Sequence, residues 1–261
     1  MRISYRAHGG SYDYWQRRWD GVAVDSGAIN RDRYPGLYAE RVIAAQRPTG
    51  PVLEAGCGAG RVLRYYHDRG IDIVGLDFIA SVLAAIRDED TSIHLAAGDI
   101  GLLPFPDQTF SAVLAFGLYH GLEFGLEAAM ADTRRIMKTD ALLCASMRLD
   151  NLQNRITDRM AAHAMGPGEG RFHKLNLTSG EFKALVGGAG FEILRLDYVE
   201  NMSFLYKFPC LRHASQRVFN ENAARGEGYR FNLLGHAAQR TAMALMPGQM
   251  ANLAVITARA V

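Results

Sequence analysis

Ten residues, VLEAGCGAGR (Val52–Arg61), constrain the fold more than any other stretch of this chain. An apolar run breaks into glycines at every second position, Gly56, Gly58 and Gly60, and then into a helical pattern. Glycine costs backbone entropy and buries no side chain, so three together mark a backbone that must turn tightly or be approached closely. A strand, a glycine turn and a helix in that order outline an anion or nucleotide site on a parallel sheet. The chain around it keeps the matching rhythm. Strands are predicted at 51–55, 71–76, 92–97, 110–116 and 141–147, and helices at 61–70, 79–88 and 126–138. Such alternation implies a mostly parallel sheet covered by helices on both faces.

The residues flanking the glycines narrow the ligand. A phosphate-binding P-loop needs Lys-Ser/Thr after its last glycine, and Arg61-Val62 stands there instead. A dinucleotide fingerprint needs G-x-G-x-x-G, and Arg61 occupies the third glycine's place, where it would crowd helix–strand packing. Glu54, two residues before Gly56, would repel a pyrophosphate but suits a ligand with an ammonium group.

Read as E-x-G-x-G-x-G, the loop resembles that of the class I S-adenosylmethionine (SAM)-dependent methyltransferases. Further landmarks agree in order and spacing: Asp77 closing IVGLD, the run AAGDIGLLPFPDQTFSAVLAF (96–116), and ADTRRIMKTDALLCAS after it. The resemblance covers residues 50–150 closely, and 172–200 and 250–260 more loosely. It departs at Thr139-Asp140, where many relatives have a Pro-Gly-Gly turn. It implies an α/β fold with a doubly wound, mostly parallel seven-stranded sheet whose last strand is reversed. It also implies SAM as cofactor. Glu54, Gly56, Cys57, Gly58 and Gly60 would hold its amino-acid end. Asp77, with Phe78 beside it, would take the ribose hydroxyls, a role compatible with capping the next helix. Asp99 would meet the adenine amino group and Ile100 the ring. Phe116 would line the methionine side. Cys57 is expected as a small packed residue rather than a reactive thiol.

The acceptor side is read from position. FGLYHG (116–121) leaves the carboxyl end of a parallel strand, where open α/β sheets bind ligands. Tyr119 and His120 are therefore expected to face the methyl group as catalytic residues, with His120 titrating near working pH as a base or else only shaping the pocket. The aromatic segment SYDYWQRRWDG (11–21) is expected to form a lid within residues 1–47, with Tyr14 and Arg17 or Arg18 on the cofactor. The remaining chain, 48–261, forms the SAM-binding domain. It includes a helical cap at 201–248, which carries six Lys/Arg and two Glu and roofs the substrate. His173 in RFHKLN and Tyr206 in the cap are substrate-contact candidates.

Composition excludes more than it selects. A net charge of +2 gives no general argument for nucleic acid. No apolar run is long enough for a membrane span, and the N-terminus has no apolar signal core. Cys57, Cys144 and Cys210 are odd in number and far apart, which fits a reducing cytoplasm. The eight histidines show no metal-ligand spacing, so no metal is expected. The expectation is a cytoplasmic methyltransferase, monomeric or homodimeric, acting on a small, partly apolar or aromatic acceptor. Its rivals are a non-catalytic SAM-binding or scaffold partner and a tRNA or protein methyltransferase. FGLYHG in place of an Asn/Asp-Pro-Pro-aromatic motif argues against amino methylation of DNA bases.

Overall fold

The computed structural model describes residues 1–6, 15–16, 29–47, 49–163, 170–200, 203–218 and 229–261. Four short strands, β2 (Val52–Ala55), β3 (Ile73–Asp77), β4 (His94–Ala97) and β5 (Phe110–Ala115), run parallel to one another. The long strand β6 (Met137–Arg148) continues the parallel set. β9 (Leu253–Ala260) runs antiparallel to both β6 and β8 (Phe191–Val199). The sheet order is β4-β3-β2-β5-β6-β9-β8, seven strands with one reversed. This is the doubly wound architecture that the alternation implied.

Both faces of the central strands are buried, which is why β2 and β5 read as continuous apolar runs. Alternate side chains serve opposite layers. Leu53, Ala55, Val113 and Ala115 pack toward α4 (Leu126–Ile136) and α6 (Ser179–Gly188), with Met130, Phe182 and Val186 filling that layer. Val52, Ala112 and Leu114 pack the other way. There they meet α1 (Gly36–Gln46), α2 (Arg61–His67) and α3 (Ala80–Glu89) through Val42, Leu63, Tyr66 and Ile86. Fully burying each such side chain contributes about 1.5–3 kcal/mol. α6 begins with the capping box expected from Thr178 and Glu181. The Thr178 hydroxyl accepts from the Glu181 N–H at 3.2 Å, and Glu181 accepts from the Thr178 N–H at 2.8 Å.

Three features depart from the sequence expectations. β6 starts at Met137 rather than 141, directly after α4. Its pairing with β5 jumps from Phe110↔Met137 to Ala112↔Leu142, and Asp140 adopts φ 65°, so the missing Pro-Gly-Gly turn is replaced by an irregular, partly looped strand. RFHKLN is itself a strand, β7 (Arg171–Asn176), paired antiparallel with β1 (Arg2–Arg6) from the N-terminal segment. The described part of the cap comprises short 3₁₀ turns at 204–207, 209–211 and 214–216, then α7 (Leu233–Leu245) and α8 (Pro247–Met250). It is thus only partly α-helical. The remaining helix, α5 (Leu152–Ala162), packs against β1. Among the described residues no helix is long and apolar enough to cross a membrane.

Candidate functional site

At the carboxyl end of β2 the chain turns through Gly56 (φ 73°), Gly58 (φ 50°) and Gly60 (φ 72°), all left-handed. L-residues with side chains rarely adopt this region. Space is limiting too: a Cβ on Gly56 would lie 3.0 Å from Leu118, and one on Gly60 2.9 Å from Ile86. The loop is anchored below by the N–H groups of Gly56 and Cys57, both donating to the Leu76 carbonyl of β3. Cys57 is buried, its thiol pushed well up by burial, and its sulfur packs beside Gly75. That is the packing role expected for it.

Two buried carboxylates flank the loop. Glu54 accepts from the Leu63 N–H in the first turn of α2 at 2.7 Å, satisfying one of the free donors at that helix start. No cation pairs with it among the described residues, and burial pushes its carboxyl up to about 8. Asp77 closes β3 and divides its oxygens. One accepts from Gly58 N–H at 2.9 Å and the other from Ile79 N–H at 3.0 Å, ahead of α3. It therefore ties the glycine loop to the neighbouring strand and starts the next helix. The Phe78 N–H is a third backbone donor to Asp77; a carboxylate offers about four acceptor positions, so the group retains capacity for a further donor. Phe78, next in sequence, is 40% exposed. Asp99 is exposed after β4 and accepts from Gly101 N–H at 2.7 Å, while Ile100 is buried in the core.

Beyond β5, Phe116 meets Tyr34 edge-on at 5.6 Å. Ser146 of β6 joins both segments: its hydroxyl accepts from Gly117 N–H at 2.8 Å and lies 3.0 Å from the Tyr34 hydroxyl. The 3₁₀ turn Tyr119–Gly121 then sends adjacent side chains to different places. Tyr119 is fully buried. Thr133 of α4 spends its proton on the Ala129 carbonyl, so the Tyr119 hydroxyl donates to Thr133 at 2.7 Å. This corrects the catalytic expectation for Tyr119, whose phenol belongs to the core. His120 is also buried, but its Nδ1 has no hydrogen-bond partner. Burial, then the neighbouring cations Lys174 and Arg148, hold its imidazole well below the usual histidine range. Titration near working pH is therefore corrected as well: the ring is neutral there.

The cations reach His120 through the β1–β7 ribbon, which packs against the 119–121 turn and the end of β6. Asp158 of α5 organises the ribbon's outer side. It accepts from Arg148 on both oxygens at 2.9 Å, from Arg2 at 2.8 Å and from Arg6 at 2.9 Å. Arg2 and Arg155 also share Asp150. Lys174 has no carboxylate within ion-pair distance among the described residues; its ammonium sits 4.8 Å over the Trp15 ring. Burial and Arg148 lower that ammonium to about 7. His173 beside it has an unpartnered Nδ1 and is lowered to about 3, mainly by burial.

Trp15, like Tyr34 and Phe116, packs against the buried apolar layer that includes Val52, Ala112 and Leu114. Tyr14 and Arg18, as well as Arg17, lie outside the described residues. Tyr206 is a correction: it is 2% exposed and donates to Gln216, with Arg212 stacked on its ring at 5.1 Å, so it builds the cap rather than facing a ligand. Tyr34, Ser146, Arg148 and Lys174 were not expected at the site. Each lies in an ordinary strand or turn pattern, and only Lys174, within RFHKLN, stood beside a residue already singled out. Among the described residues no three His, Cys, Asp or Glu side chains converge as a metal site would require.

Residues 52–140 match the protein family described as "Methyltransferase domain". The chain is 35% identical over 124 residues to a demethylmenaquinone methyltransferase of Renibacterium salmoninarum, covering 47% of this chain and 44% of that one. It is 37% identical over 62 residues to a malonyl-[acyl-carrier protein] O-methyltransferase of Enterobacter lignolyticus, covering 24% and 25%. The matches thus span less than half the length of these curated relatives. The crystal structure of Burkholderia thailandensis 1,6-didemethyltoxoflavin-N1-methyltransferase, solved with 1,6-didemethyltoxoflavin and S-adenosylhomocysteine, superposes with a TM-score of 0.56 at 15% identity. That superposition covers 96% of this chain and 85% of that one.

Proposed function

We propose, from a chain that carries a class I SAM-dependent methyltransferase domain, that this protein transfers a methyl group from SAM to a small-molecule acceptor. The observation that carries the proposal is Glu54: a buried carboxylate beside a left-handed glycine loop, with no ion-pair partner among the described residues and only the Coulombic pull of Arg61 to offset its burial. An ammonium supplies that partner, and SAM has one. The rest of the site is compatible. Gly56, Gly58 and Gly60 leave backbone clearance for an amino-acid headgroup. Asp77 keeps acceptor capacity for ribose hydroxyls. Phe78 and Asp99, exposed after β3 and β4, are assigned to the adenine side, and Ile100 beside Asp99 is buried.

SAM, when bound, supplies a methyl group already activated on a sulfonium. The protein's part is then alignment and exclusion of water. Trp15, Tyr34 and Phe116 give the acceptor side an aromatic wall, in keeping with a lid formed by the N-terminal segment and an acceptor with a flat or apolar body. Ser146 fixes the Phe116–Gly117 turn that presents this wall. His120 in the 119–121 turn holds a neutral ring.

Calorimetric titration with SAM and S-adenosylhomocysteine tests the proposal. Binding of both is expected, with Asp77→Ala weakening SAM at least about tenfold through the loss of charge-assisted hydrogen bonds. Absence of binding, or an Asp77→Ala protein that binds like wild type, overturns it. A protein that binds SAM but methylates no acceptor in a broad small-molecule panel is a SAM-binding partner rather than an enzyme.

A further inference from the structure

The groups around His120 say something about the acceptor that the cofactor side does not. Three unbalanced polar groups converge where β7 packs against the 119–121 turn. His120 is 7% exposed, and its Nδ1 has no partner. Leaving a buried nitrogen without a hydrogen bond costs its desolvation with nothing in return, so it marks a position where a partner is missing. His173 Nδ1 is in the same state. Lys174 is half-buried, and among the described residues it has no carboxylate partner, its ammonium lying over the Trp15 ring. The nearby carboxylates do not relieve it: Asp158 is taken by Arg2, Arg6 and Arg148, and Asp150 by Arg2 and Arg155. Among the described residues of this network five cations (Arg2, Arg6, Arg148, Arg155 and Lys174) face two carboxylates, so the excess charge there is positive and Lys174 carries the uncommitted part of it.

We propose that the acceptor binds as an oxyanion, a carboxylate or an ionised acidic hydroxyl, held by the Lys174 ammonium and by N–H groups of His120 and His173. Trp15 carries the aromatic or apolar body of the same molecule. The inference rests on the methyl-transfer assignment above and sharpens its substrate class. It also gives His120 a different task from that of a base. The cations that surround it disfavour an imidazolium, whereas a neutral ring can donate one N–H to an oxyanion. An acceptor that arrives ionised needs no group to remove its proton. His120 and His173 are then positioning residues, and Lys174 determines specificity.

The test uses the full chain saturated with S-adenosylhomocysteine. Isothermal titration with 2-naphthoate and 4-nitrophenolate is compared with the neutral analogues 2-naphthamide and 4-nitroanisole. At least one anion is expected to bind about tenfold or more tighter than its neutral partner, as a charge-assisted contact provides. Which anion wins separates a carboxylate from an acidic hydroxyl. Lys174→Met should remove the difference, Lys174→Arg should retain most of it, and His120→Gln should weaken both anions while leaving the neutral probes unchanged. Anion affinity should also fall as pH rises above about 7, where Lys174 loses its proton. Neutral probes binding as well as anions, no anion binding at all, or a Lys174→Met protein with unchanged anion preference overturns the inference. SAM affinity, measured on the same variants, stays at the wild-type value if they fold. Its loss in the wild type would instead sink the methyl-transfer assignment.

Discussion

Glu54 decides the most at the scale of single residues. Its ordinary value is 4.5, and in the folded chain burial raises it to about 8. Between those values the folded protein holds a proton that the unfolded chain has lost. Its contribution to stability is therefore greatest below the lower value and declines as pH rises toward the upper one. Glu54→Gln should flatten this part of the stability–pH curve measured by urea unfolding. An ammonium placed beside Glu54 favours the ionised form, so SAM binding at pH 7 should release a proton. Calorimetry in buffers of different ionisation enthalpy would read it, and Glu54→Gln should abolish it. The importance of Glu54, Asp77 and the three glycines was legible in the sequence because each sits at a strand end whose position the hydrophobic pattern already marks. The direction of Tyr119 was not. Tyr119 and His120 are neighbours in one 3₁₀ turn, and no periodicity tells which of two adjacent polar aromatics enters the core.

Elements follow the same division. The inner strands β2, β3 and β5 lie where an apolar run placed them, because strands buried on both faces cannot be polar. The α2 start depends on Gly60, where φ is 72° and a side chain would press on Ile86. Gly60→Ala should lower unfolding free energy by about 1–3 kcal/mol, combining left-handed strain with overpacking. Thr178→Ala should cost about 1 kcal/mol through the lost capping box of α6, with no effect on SAM affinity. Chemical denaturation of both variants checks these values. β1 and β7 escaped the sequence because RISYR and RFHKLN alternate charged and apolar residues without a continuous apolar run. Each is a strand only because the other pairs with it.

At the scale of the whole molecule the β1–β7 ribbon joins the two ends of the sequence argument. Asp158 is 9% exposed and holds Arg148, Arg2 and Arg6 together. Burial alone would raise its carboxyl, but the Arg148 and Arg2 contacts outweigh that and keep it low. Removing one partner of a buried ion pair leaves an uncompensated charge, so Asp158→Ala should destabilise by about 3–5 kcal/mol. Deleting residues 1–6 should lower the melting temperature. It should also weaken 2-naphthoate binding more than SAM binding, since the ribbon borders His120 and not the glycine loop. Thermal shift and calorimetry on the truncated chain would show both effects.

The part of the site that we assign to the cofactor was readable in the sequence alone. Its parts are short-range: a glycine turn, the acid before it and the acid ending the next strand act through backbone geometry that local patterns specify. The part that we assign to the acceptor was decided only by tertiary structure. Lys174, His173, Arg148 and His120 meet because β1 pairs with a strand some 170 residues away and lays it across the end of β6. Charge balance in a buried cluster depends on which distant groups share it, and no pattern along the chain records that.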